Sequence, residues 1–390
     1  MKAIEKIIIF GAGKIGRSFI GQLFGTAGYE LVFVDINESI IKLINEHRQY
    51  RVVIKSDHGD KDIILKNARG IVLKDVEMVA GELADAPVAA ISVGQQGLRG
   101  VTPVFAKALL LRREKFGNWP LDVILAENMR NADEYFLRHL MPLLPEDFPG
   151  ALLPGMVETS IGKMVPIMTQ KDIDEDPLQV FAEPYNELIV SGPGFKNPVP
   201  AINNLSPKEN IKAWVDRKLF IHNLGHACAA YTGYLANNRL VYLYEALDIN
   251  EVYETTRQTM MQSADILLAM YPDEFTPDQL KNHVDDLLSR FRNRALGDTL
   301  FRVGCDLCRK LGPEDRFTSP IREAIRLNKP FDMILKAMVA GLSFRAVDER
   351  GNLFEQDKRF FKEAEKGIVH ILSYISGFTD QEVQHITKLL

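Results

Sequence analysis

Short apolar runs punctuate the N-terminal third of the chain: Ile7-Ile8-Ile9-Phe10, Leu31-Val32-Phe33-Val34, Val88-Ala89-Ala90-Ile91 and Val123-Ile124-Leu125-Ala126. They are continuous rather than alternating, as in strands covered on both faces, and the intervals leave room for crossover helices. The pattern predicts a parallel sheet in an α/β domain. Tyr50 to Leu73 alternates more loosely and carries many charges, which reads as an antiparallel excursion. One more strand is expected between Leu178 and Ser191. The cluster Gly192-Pro193-Gly194-Phe195-Lys196-Asn197-Pro198 follows it and is the strongest boundary signal in the chain.

From Ser206 to Leu390 the pattern is almost entirely helical, broken at Tyr271-Pro272-Asp273, Leu311-Gly312-Pro313 and Asn328-Lys329-Pro330. Ser206-Pro207-Lys208-Glu209 has the N-cap, N1 proline and N3 acid of a helix start. The expected organisation is an α/β domain over residues 1–195 and a mostly α-helical domain over 196–390.

Composition narrows the function classes. The chain has 390 residues, of which 46% are hydrophobic and 25% charged, as in an ordinary globular enzyme. Lys+Arg 47 against Asp+Glu 52 gives a net charge of −5, which argues against nucleic-acid binding. An anionic ligand must therefore be met by a local cluster of cations. No run approaches the ~20 apolar residues of a membrane span. The apolar run before Gly11 is too short for a secretory segment, so a cytoplasmic protein is expected. Three cysteines make no disulfide framework, and Cys305-Asp306-Leu307-Cys308 is a lone pair in a helical context. No metal site is expected.

The first strand runs directly into Gly11-Ala12-Gly13-Lys14-Ile15-Gly16, which opens a helix. In such a loop the first glycine permits a tight turn, the second admits a pyrophosphate to the backbone, and the third lets helix pack on strand. The helix N-terminus offers free N–H groups to the phosphates. Asp35 ends the second strand at the spacing of a ribose-binding acid. Its carboxylate would repel a 2′-phosphate, so NAD is the expected cofactor. Phe10 to Gly16 and Asp35 form the predicted dinucleotide site. A second glycine turn, Val93-Gly94-Gln95-Gln96-Gly97, adds Val93 and Gly94 for the nicotinamide half. The fold expected is a Rossmann-type doubly wound sheet followed by a helical domain.

The helical domain contains Lys218-Leu219-Phe220-Ile221-His222-Asn223-Leu224-Gly225-His226. At ~100° per residue Asn223 stands roughly 140° from Lys218 and His226 about 80° from it, on one arc. Rise alone separates Lys218 and His226 by about 12 Å. These residue types suit alcohol oxidation without a metal: a lysine base, an amide donor to the alkoxide and a histidine to orient a hydroxyl. Taken alone, the stretch fits equally a helix with a surface lysine, an amide and a core histidine.

The pattern Lys-x4-Asn-x2-His within RKLFIHNLGHACAAYTGY resembles the signature of the polyol-specific long-chain dehydrogenases/reductases. FGAGKIGRSFIG, VDIN, AENM, RKLGPEDR and the late Phe344-Arg345 resemble the compact branch that acts on mannitol 1-phosphate. The resemblance covers most of the chain. It implies Lys218 as general base, Asn223 and Asn128 as amides on the developing oxyanion, and His226 against the reacting hydroxyl. It also implies zinc-independent chemistry, and it matches Gly11, Gly13, Gly16 and Asp35 to the dinucleotide loop and ribose acid.

One segment departs from the family pattern. Where Val-Asp-Arg-Ile-Val-Pro is usual, the chain has Ile161-Gly162-Lys163-Met164-Val165-Pro166. An Arg fork becomes a Lys point charge, which changes bidentate recognition. Lys163 stays a candidate for the substrate, and Glu158 offers a substitute carboxylate. Arg302, Arg309, Lys310 and Arg316 concentrate positive charge that fits either a sugar phosphate or a solvated face paired with Glu314 and Asp315. Arg309, Arg316 and Arg345 join the substrate candidates.

The resemblance thus implies an NAD-dependent oxidoreductase interconverting a polyol phosphate and a ketose phosphate, with mannitol 1-phosphate and fructose 6-phosphate as the pair. The rivals are a reductase of an unphosphorylated ketose or a sugar acid, and a dinucleotide-binding sensor without turnover. The expected partner is a small molecule, with neither nucleic acid nor membrane, and the assembly a monomer or small homo-oligomer.

Overall fold

The computed structural model describes residues 5–127 and 129–390, and each apolar run becomes a strand. In chain order the strands are β1 (Lys6–Phe10), β2 (Glu30–Asp35), β3 (Gln49–Ile54), β4 (Lys61–Lys66), β5 (Ala68–Val72) and β6 (Val88–Ile91). There follow β7 (Asp122–Leu125), β8 (Gly155–Ser160), β9 (Val180–Ala182), β10 (Leu188–Ser191) and β11 (Leu205–Lys208). The main sheet has the order β11-β10-β8-β7-β6-β1-β2-β5. It is parallel from β5 through β8, and β10 joins antiparallel to β8.

β1 explains why these runs are unbroken. Ile7 and Ile9 pack with Phe19 and Leu23 on one face, while Ile8 and Phe10 pack with Leu98 and Phe105 on the other. Both faces of the strand are dry, so neither can be polar. β1 has β2 on one side and β6 on the other, so strand order reverses there. The crevice beyond the carboxyl ends at such a switch point is where doubly wound sheets bind ligands.

The loosely alternating Tyr50–Leu73 region divides its tasks. β3 and β4 pair antiparallel in a smaller sheet completed by β9, as expected, but β5 returns to the main sheet parallel to β2. The anticipated helix start at Ser206-Pro207-Lys208-Glu209 is corrected. Leu205–Lys208 is β11, paired with β10, and the helix begins at Ile211. Pro207 is tolerated there because β11 is the sheet's edge, where a missing N–H costs no ladder bond.

The chain divides into two compact units, Met1–Val215 and Asp216–Leu390. The Gly/Pro cluster at 192–198 therefore lies inside the first unit. Asp122 holds it there: Oδ1 accepts the Lys196 N–H at 2.7 Å, and Oδ2 accepts the Asn197 N–H at 3.1 Å and side-chain amide at 2.9 Å.

The second unit is helical, and the breaks fall where proline and glycine predict. Asn250–Met270 ends before Tyr271-Pro272, and Thr318–Leu327 closes on Asn328 in the left-handed region. Its central helix, Leu224–Ala236, is surrounded by Leu243–Leu247, Asn250–Met270, Leu300–Gly304 and Asp332–Leu342. Small residues make the approach possible: a Cβ on Gly225 would lie 2.4 Å from Met260 Sδ. No helix among the described residues is long and apolar enough to cross a membrane.

Candidate active site

The dinucleotide half belongs to the first unit. Gly11 leaves β1 with φ +97°, and an added Cβ would fall 2.4 Å from the Ser92 carbonyl oxygen. A Cβ on Gly16 would lie 1.8 Å from the Gly11 carbonyl oxygen, so helix and loop pack at backbone distance. Gly13 differs: nothing lies within 4 Å of its ideal Cβ, which leaves the room a pyrophosphate needs. The helix opens with a π segment, Gly16–Gly21, and continues as α through Gln22–Thr26.

Asp35 Oδ2 accepts the Ala12 N–H at 2.6 Å, and Oδ1 accepts the Asn37 N–H at 2.8 Å. Each oxygen keeps a lone pair for a ribose hydroxyl. The second glycine turn is held by a residue the sequence reading passed over. Glu127 Oε1 accepts the N–H groups of Val93 at 2.7 Å and Gly94 at 2.8 Å. Burial raises the Glu127 carboxyl above its usual range, and those two N–H groups oppose the shift. A 320 Å³ cavity lies here, lined by Ile15, Ser92, Gly94, Gln95, Glu127 and Ile161 among others. The glycine loop, Asp35 and this turn fit a dinucleotide. Arg17 was also missed: buried, it donates from Nε to the Ala12 carbonyl at 2.7 Å and from Nη1 to Leu178 at 2.6 Å, bracing the loop from behind.

The Lys218, Asn223 and His226 candidates lie in the second unit. Lys218–Asn223 forms a π segment that leads into Leu224–Ala236, and the Leu224 N–H donates to Leu219, five residues back. The α-helical angles expected from sequence are thereby corrected. Five-residue hydrogen bonding brings Lys218 and Asn223 onto one face of the helix rather than ~140° apart. Burial pushes the half-buried Lys218 ammonium down to about 8, with the Arg316 guanidinium adding and Asp315 opposing. Arg316 Nη1 donates to the Asn223 carbonyl at 3.2 Å, and its Nε donates to Asp315 at 2.7 Å.

His226 stacks on Phe291, with centroids 4.7 Å apart and planes 13° apart. It is held neutral well below the usual imidazole range, first by burial and then by Arg302, Lys310, Arg316 and Arg290. His222 packs beside it on the same phenylalanine and is likewise depressed by burial. Lys310 is buried, lowered to about 7 by desolvation and then Arg316, and donates to the Val303 carbonyl at 2.5 Å.

The remaining candidates fall in several places. Asn128 lies outside the described residues. Glu158 accepts the Ala132 N–H at 3.0 Å at the start of the helix Ala132–Leu140. Lys163 is buried in the first unit, donating to Gln22 and Asn186 at 2.7 Å each with the Phe19 ring at 5.1 Å. Arg345 donates to the Leu342 and Phe344 carbonyls at 2.8 Å each, at the end of Asp332–Leu342, and lies over Phe361. Arg309 is exposed and pairs with Asp306 and with Asp315. Among the substrate candidates, Arg316 bonds to the Lys218–Asn223 segment. Cys228 is buried, Cys305 and Cys308 are half-buried, and all three are thiols.

Comparison with known proteins agrees with this architecture. The model of the mannitol dehydrogenase Rossmann domain matches residues 5–204, and that of the mannitol dehydrogenase C-terminal domain matches 210–384. Mannitol-1-phosphate 5-dehydrogenase of Halalkalibacterium halodurans is 30% identical over 94% of this chain and 95% of its own length. The Streptococcus mutans enzyme of the same name is 30% identical over 97% and 96%. Among solved structures, a substrate-free D-sorbitol dehydrogenase covers 98% of this chain and 92% of its own at TM-score 0.79 and 16% identity. Pseudomonas fluorescens mannitol 2-dehydrogenase, solved with NAD and D-mannitol, covers 100% and 91% at TM-score 0.70 and 14% identity. Matched in both domains and by relatives along nearly its whole length, the chain belongs to the mannitol dehydrogenase family.

Proposed function

We propose that the chain interconverts mannitol 1-phosphate and fructose 6-phosphate, with Lys218 as the general base. As a member of its family it is an NAD-dependent dehydrogenase acting on a CH–OH group. Gly11, Gly13 and Gly16 would hold the pyrophosphate, Asp35 the ribose, and the Glu127-lined cavity the nicotinamide. Bound there, NAD supplies the hydride acceptor for oxidation and, reduced, the donor for the reverse reaction.

The carrying observation is Lys218. An amine lowered to about 8 exchanges its proton near neutrality, so it can take one from a hydroxyl and return it to a forming alcohol. Asn223, brought onto the face of Lys218 by the π segment, would donate its amide to the oxygen as negative charge develops. Asn128 would supply the second amide that the family pattern implies. Neutral His226 would hold the same oxygen or its neighbour without adding a charge.

Phosphate is favoured by the cations around His226: Arg290, Arg302, Lys310 and Arg316 all act on it electrostatically. The related names point to the same substrate. A second reading, an unphosphorylated ketose, draws on the acids beside those cations. Arg302 pairs with Asp298, Arg309 with Asp306, and Arg316 with Asp315.

NADH oxidation with fructose 6-phosphate, fructose and a keto sugar acid tests the choice. Fructose 6-phosphate should turn over with the highest kcat/KM. Turnover of fructose at equal or higher kcat/KM would overturn the phosphate reading, and none with any ketose would revive the sensor.

A further inference from the structure

We infer that Asp298 is a positioning residue for His226, fixing it as the Nε2–H tautomer through a carboxylate–imidazole pair. His226 Nε2 is fully buried and has no hydrogen-bond partner, yet Asp298 Oδ2 lies 3.4 Å away. A buried polar nitrogen left without a bond is costly, so an adjacent acceptor at this range carries a purpose. The Phe291 ring stacked on the imidazole restricts its swing, and the Asp298 side chain is only 5% exposed.

The backbone around Asp298 is equally fixed. Gly297 turns in the left-handed region before it, with φ +63°, and Thr299 caps the helix Leu300–Gly304 after it. The Asp298 carbonyl accepts the Leu243 N–H at 2.9 Å, and Tyr242 bridges to Thr299. A carboxylate so buried needs a charge partner, and Arg302 supplies one on Oδ1, leaving Oδ2 toward the imidazole.

Chemistry then selects the tautomer. Four cations, Arg302, Lys310, Arg316 and Arg290, together with burial, keep His226 neutral, and His222 beside it is neutral too. A neutral imidazole has one N–H, and a paired carboxylate only accepts. The proton therefore sits on Nε2, and Nδ1 keeps the lone pair. A substrate hydroxyl must then donate to His226 at Nδ1, which leaves donation to the developing alkoxide to the amides. This assignment rests on the proposed reading of His226 as a substrate contact.

Nitrogen NMR of ¹⁵N-histidine-labelled full-length protein, with NADH bound, tests it. The His226 signal is identified by its loss in His226→Gln. The expected wild-type pattern is a neutral imidazole protonated at Nε2. Asp298→Asn, which can turn an amide donor toward Nε2, should shift the population to Nδ1–H. It should also lower kcat with fructose 6-phosphate by ~10²-fold, as misplacement of a reacting group does, with NADH affinity unchanged. A wild-type His226 protonated at Nδ1 would overturn the inference, as would an unaltered tautomer in Asp298→Asn. Should that variant not fold, the wild-type spectrum decides alone. A shifted tautomer at unchanged kcat would uphold the pair and overturn the substrate role of His226.

Discussion

Arg316 donates from Nη1 to the backbone carbonyl of Asn223 at 3.2 Å, and its charge also lowers the ammonium of Lys218. One buried guanidinium therefore supports the π segment at its end and tunes the amine at its start. A lysine at that position would carry the charge without the fork that reaches both Asp315 and Asn223.

Lys218 gives the first prediction. Its pKa of about 8 means oxidation should rise with pH through that value as the base is freed, while ketone reduction falls as the proton donor is lost. Lys218→Ala should cost ~10²–10⁴-fold in kcat with NADH affinity nearly intact. Near wild-type turnover would remove the base from Lys218. The same depression carries a stability sign. The unfolded chain, titrating at the ordinary lysine value of 10.5, binds more protons than the folded one between about 8 and 10.5, so stability rises with pH across that window. Lys218→Met should reduce that rise in denaturant midpoints, leaving the share of Lys310, which is lowered to about 7.

Asp35 gives the second. NAD(H) should be strongly preferred over NADP(H), and Asp35→Ser should erode the preference by losing ~1–3 kcal/mol of charged hydrogen bonding to the ribose. The Ala12 N–H loses its partner as well, so affinity for both cofactors should fall somewhat. Equal kcat/KM for both cofactors in the wild type would contradict the assignment.

Two glycines of one loop should behave oppositely. Gly16→Ala sets a Cβ 1.8 Å from the Gly11 carbonyl oxygen and should destabilise the first unit by about 2–4 kcal/mol, read as a lowered Tm. Gly13→Ala meets only open space and should leave Tm unchanged while weakening NADH binding. A Gly13→Ala protein with wild-type NADH affinity would move the pyrophosphate elsewhere.

Glu127 separates charge from hydrogen bonding. Glu127→Gln keeps an acceptor for the Val93 and Gly94 N–H groups, so the fold and NADH affinity should survive. It loses the anion beside the cavity, so the positively charged oxidised ring should bind less well and the NAD⁺/NADH Kd ratio should rise. Calorimetric titration with both forms reads this directly, and an unchanged ratio would mean that Glu127 acts on the glycine turn alone.

How legible all this was in sequence varied with the physics. The buried strands were legible because a strand dry on both faces admits no polar position, as Ile7 to Phe10 illustrate. The glycine loop was legible because Gly11 and Gly16 meet backbone atoms that no side chain could pass. β11 was not: Ser206-Pro207-Lys208-Glu209 has every local mark of a helix start, and only pairing with distant β10 overrides it. Glu127, Arg17 and Asp298 were missed because each owes its role to groups far along the chain. The π segment at Lys218–Asn223 was invisible to a reading built on a period of 3.6.

That segment has a consequence for chain length. A π turn carries an extra residue relative to an α turn, so the phase between Lys218 and His226 depends on how many residues separate them. Deleting a single residue such as Leu219, itself no part of the chemistry, would remove that extra residue and let the segment close as ordinary α-helix with Lys218 and His226 still nearly in their present phase. Relaxing the segment to the α period at unchanged length would instead turn one end by ~100° against the other. The base and the imidazole would then face apart while every reactive side chain was still present. Evolutionary drift in this helix is therefore free to drop one residue, but not to lose the wide turn at fixed length.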